Sequence, residues 1–97
     1  MRFTVTWTDE ASDALAKLWV ASDPTRRKRI SHCADFLDRD LRWDAHLKGA
    51  VLRDHEPARV LGTPRDFGVP QVAVLYEVSV DDCLVTVAGL RILESQT

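Results

Sequence analysis

The sequence predicts an α+β domain of order β-α-α-β-β-β, with two N-terminal helices packed on one face of a mainly antiparallel sheet. Three observations carry this. Gln71–Val80 and Leu84–Leu93 are strand-length runs rich in Val, Leu, Ile and Tyr, joined through the turn-forming pair Asp81-Asp82. They predict a hairpin at the sheet centre. Arg2–Trp7 alternates Phe3, Val5 and Trp7 with Arg2, Thr4 and Thr6, the period of a half-buried strand. Between these strands lie two segments whose apolar residues recur with helical spacing.

The first helix is expected over about Asp9–Ala21. Thr8 offers an N-cap, Asp9 and Glu10 suit the positive end of the helix dipole, and Ala11, Leu15, Leu18 and Trp19 form an apolar stripe. Ser22-Asp23-Pro24 ends it and starts a second helix, because Asp23 can cap and Pro24 suits the first helical position. That helix is expected to run to about Leu41 or Trp43, with Ile30, Cys33 or Ala34, Leu37 and Leu41 inward. So short a connection predicts an antiparallel helical hairpin. Asp44–Ala58 has no sustained period and reads as a loop; Arg59–Gly62 reads as a strand, and Thr63–Pro70 is too rich in Pro and Gly for a central one.

In the first hairpin arm Val72, Val74, Tyr76, Val78 and Val80 share one face, apolar enough to lie under the helices. Ala73, Leu75, Glu77 and Ser79 share the other, mixed face, which is the expected place for binding or chemistry.

At 97 residues the chain predicts one domain, 1–97, with a net charge of −2 and a sequence pI near 5.8. That balance argues against a general nucleic-acid-binding surface. With no run long enough to span a membrane and no signal-peptide core, a soluble cytoplasmic protein is expected. Cys33 and Cys83 read as buried thiols, and Trp7, Trp19 and Trp43 as core or helix-packing residues. No His, Cys, Asp and Glu spacing resembles a metal site and no glycine-rich phosphate loop is present, so neither metal nor cofactor is expected. Among the histidines, His32 reads as a surface helical residue, whereas His46 and His55 lie in the irregular segment beside the expected groove and are better placed as general bases. Arg26-Arg27-Lys28-Arg29 puts positive charge at the unfavourable end of the second helix, which makes it either a solvated face or a patch for an acidic or nucleic-acid target.

The element order, with the opening RFTVTWTDEASDALAKLW, His46-Leu47-Lys48-Gly49, Arg59-Val60-Leu61, Val74-Leu75-Tyr76-Glu77-Val78 and Leu90-Arg91-Ile92-Leu93, resembles the RelE/ParE superfamily over nearly the whole chain. These are the small toxins of bacterial type II toxin–antitoxin pairs. The resemblance implies a toxin that either cleaves messenger RNA on the ribosome, as in the RelE branch, or poisons DNA gyrase, as in the ParE branch. A cognate antitoxin would block its working surface.

For RNA cleavage, a base, a cation at phosphorus and a donor to the leaving oxygen are needed. The resemblance points to Arg59 and Arg91 as groove cations and puts Ala73 where RelE-like nucleases keep an arginine. His46, from its place beside the groove, is a further catalytic candidate, and Lys48, Arg65 and the basic run Arg26–Arg29 are the expected target-binding residues. Strand alternation puts Glu77 on the face expected to carry Arg59 and Arg91, where a pairing with one of them is the hypothesis. The alternative is a catalytically inactive member that acts as a protein-interaction module.

Overall fold

The computed structural model describes residues 1–51, 58–64 and 71–93. Its elements are β1 (Thr4–Trp7), α1 (Asp9–Val20), α2 (Pro24–Asp40), a 3-10 turn (Ala45–Leu47), β2 (Ala50–Val51), β3 (Ala58–Gly62), β4 (Gln71–Ser79) and β5 (Leu84–Leu93). The expected order therefore holds. The segment read as a loop adds a turn and the two-residue strand β2, too short to leave a periodic signal.

One five-stranded sheet has the order β1-β5-β4-β3-β2, so the β4–β5 hairpin sits at its centre as expected. Only β1 runs parallel to its neighbour, β5; the other pairs are antiparallel.

Local chemistry explains the helix starts. The Thr8 hydroxyl accepts from the Ala11 N–H at 3.1 Å, and the Asp23 carboxylate accepts from the Arg26 N–H at 2.8 Å. Both helices then bury one stripe. In α2 it is Ile30, Cys33, Ala34 and Leu37, followed by Leu41, the stripe the sequence predicts. In α1 only Ala11 is fully buried, with Ala14, Leu15 and Leu18 half-buried, whereas Trp19 is 41% exposed. Trp19 therefore lies outside the stripe. Trp43 is also corrected, at 56% exposed with the Arg2 guanidinium over its ring, and Cys83 is exposed rather than buried.

Beneath the helices Val72, Val74, Tyr76, Val85 and Val87 form the sheet side of the core, joined by Phe3, Leu37, Leu41 and Ala45. No helix among the described residues is long and apolar enough to cross a membrane.

Candidate functional site

Strand register decides which side chains share the uncovered sheet face. Ala73 pairs with Arg91 and Leu75 with Gly89, but Tyr76 pairs with Val87, so β5 carries one extra residue, Ala88. This is a β-bulge. It reverses the alternation along β5: Val85 and Val87 face the helices before it, and Leu90 and Ile92 after it, across from Val74 and Val72. Arg91 is thereby delivered to the open face. With unbroken alternation it would have shared the helix-covered face of Val85 and Val87.

The open face forms a groove of about 420 Å³ lined by Val60, Ala73, Leu75, Gly89, Arg91 and Leu93. Small residues make its floor. Arg91 is exposed there and has no ion-pair partner among the described residues. Glu77 is on the same face but four residues along β4 from Ala73, about 13 Å at strand spacing. The arrangement can hold a carboxylate or phosphate in the planar fork of Arg91 while apolar surface packs around it.

Arg59 belongs to the other face. It lies opposite Tyr76, beneath the helices, while Ala58, Val60 and Gly62 face the groove. Its guanidinium donates to the Lys48 carbonyl at 2.9 Å, and the Tyr76 hydroxyl donates to the same oxygen at 2.8 Å. The Lys48 ammonium donates to the Asp40 carbonyl at 2.6 Å and carboxylate at 2.8 Å, closing the C-terminus of α2. Burial pushes the Tyr76 hydroxyl above its ordinary range, with Arg59 pulling it back. Glu77 and Arg59 therefore cannot pair across the sheet, contrary to the common face expected for them, and no Glu77–Arg91 ion pair forms.

No protein-family model matches the sequence, and no curated protein does. Solved structures do. A chain of the chromosomal ParDE TA system from P. aeruginosa superposes with a TM-score of 0.70 at 14% identity, covering 96% of this chain and 98% of that one. A chain of the RelBE2 toxin–antitoxin complex from Mycobacterium tuberculosis gives 0.69 at 20% identity, covering 96% and 93%. A mutant of E. coli toxin RelE in the free state gives 0.59 at 13% identity, covering 93% and 82%. The chain has the RelE/ParE toxin fold.

Within this RelE/ParE fold the described candidate residues divide among four places. Arg91 alone among the described candidates stands on the open face, whereas Arg59 and Lys48 form the brace just described. His46, in the 3-10 turn, packs its ring against Phe3 at 5.4 Å between centroids, and its Nδ1 is buried with no hydrogen-bond partner among the described residues. It is not joined to the groove by any of these contacts.

The basic run occupies the outer side of the helical hairpin. Arg27 donates to the Trp19 and Val20 carbonyls at 2.9 and 3.0 Å and lies 4.4 Å over the Trp19 ring. The charge that conflicts with the α2 dipole thus complements the C-terminal end of α1. Arg26 and Arg29 also have partners, and Lys28 is exposed. Arg65 and His55 lie outside the described residues.

The bulge is what sequence reasoning missed. Its signal was present in Ala88-Gly89: glycine inside a strand often marks a bulge, and the apolar positions shift from odd, Val85 and Val87, to even, Leu90 and Ile92.

Proposed function

We propose that this chain is the toxin of a type II toxin–antitoxin pair, and that its working surface is the open sheet face around Arg91. A cognate antitoxin protein would neutralise it by covering that face. The observation that carries this reading is the exposed Arg91 on a floor of small and apolar residues, in a fold shared with toxin RelE.

The surface suits occupation of a target better than cleavage of RNA. Cleavage by 2′-hydroxyl attack needs a proton acceptor and a donor to the leaving group beside the cation. The described open-face residues supply Arg91 and Glu77, with no Lys, His or Tyr among them, and a carboxylate repels phosphate. Inhibition by binding therefore leads, with DNA gyrase the target the resemblance offers, ahead of messenger RNA on the ribosome.

The test is induced expression of the chain alone in a bacterial host, with growth followed beside pulse labelling of DNA and protein synthesis. Growth should stop with DNA synthesis falling first, Arg91→Ala should relieve the arrest, and co-expressing the product of an adjacent small open reading frame should protect. Protein synthesis falling first would move the target to the ribosome. Normal growth would sink the toxin reading and leave the interaction module.

A further inference from the structure

We infer that the outer face of α1 is a self-association surface, through which two copies of this chain pack antiparallel about a two-fold axis near Ala16. Inward-facing Ala11, Ala14, Leu15 and Leu18 leave Asp9, Ser12, Asp13, Ala16, Trp19 and Val20 exposed, flanked by the exposed charges of Glu10 near the N-terminal end and Lys17 near the C-terminal end. Trp19 is 41% and Val20 67% exposed, although both are large apolar residues. Beside them runs a groove of about 590 Å³ lined by Trp7, Ser12, Leu15, Ala16, Trp19 and Val20. Exposed aromatic surface next to an apolar groove is characteristic of a contact site.

Charge order along the stripe selects the occupant. Its N-terminal end is acidic through Asp9 and Asp13, its centre is Ala16, and its C-terminal end carries Trp19 with the Arg27 guanidinium stacked on it and Lys28 alongside. An antiparallel second copy reverses that order. It lays Trp19 of one copy against Ser12 and Ala16 of the other, and brings the basic end of each to the acidic end of its mate. A patch that complements itself under a two-fold rotation is what a symmetric dimer requires. A uniformly acidic helix from another protein would instead set carboxylates against Asp9 and Asp13.

Sedimentation of the full chain over a concentration series tests this. The wild-type chain should self-associate reversibly. Ala16→Arg, at an exposed position, should raise the dimer Kd at least about tenfold without changing the far-ultraviolet circular dichroism or Tm. Asp13→Lys and Lys28→Glu should each weaken the dimer, and the double variant should recover it, an outcome that misfolding cannot produce. A chain that stays monomeric at every concentration overturns the inference. So does a dimer insensitive to Ala16→Arg, or a monomer that binds only an added acidic amphipathic peptide.

Discussion

Gly49 shows how one residue holds the brace together. Its φ is +67°, and a Cβ there would lie 2.5 Å from the Val60 carbonyl oxygen and 2.8 Å from the Tyr76 hydroxyl. Gly49→Ala should therefore destabilise the chain by about 1–3 kcal/mol, read as a lower urea midpoint. Tyr76 sets an alkaline limit. Because burial raises its folded pKa, the unfolded chain releases the proton first. The stability this contributes is complete below the unfolded tyrosine value of about 10 and is lost as pH rises through the folded one. Cys33, also raised by burial, acts in the same direction. Urea midpoints measured from about pH 8 to about pH 11 should fall less steeply for Tyr76→Phe than for the wild-type chain. None of this was legible in the sequence, where Tyr76 was one more apolar-face residue and Gly49 a loop punctuation mark.

At the scale of elements, caps and stripes follow from residue order, whereas the bulge depends on pairing. Thr8→Ala should cost about 1 kcal/mol, since it removes the acceptor for the Ala11 N–H. Deleting Ala88 tests the assignment of the bulge. It makes Tyr76–Val87 and Leu75–Gly89 consecutive pairs, so simple alternation then keeps Val85, Val87, Leu90 and Ile92 on the core face and Arg91 on the open one. Amide-exchange protection in β4 and β5 should therefore survive the deletion, and its loss would contradict this register. The helix ends predicted from Thr8, Asp23 and Pro24 agree with the structure because capping is local. Trp19 escaped the predicted stripe because its neighbour is Arg27, from another helix.

For the whole molecule, the two arginines singled out together have different tasks. Arg59→Ala should lower stability by about 1–3 kcal/mol, because a charged donor to the Lys48 carbonyl is lost at a half-buried site. Arg91→Ala should change stability by less than about 0.5 kcal/mol while relieving growth arrest. Equilibrium unfolding and the growth assay, run on both variants, separate the roles. Equal destabilisation by both would contradict the division of the sheet into a braced and a working face.

The helices and their caps, the central hairpin and the apolar face of β4 could be read from residue order, because each depends on residues near one another in the chain. Tertiary structure alone decided that Arg59 faces the helices and Arg91 the groove, that Lys48 closes α2, and that Arg27 completes α1. Each of these is a relation between different elements of the fold. A single extra residue in one strand exchanges the two faces of a sheet, and no local preference determines where its partner strand will absorb it.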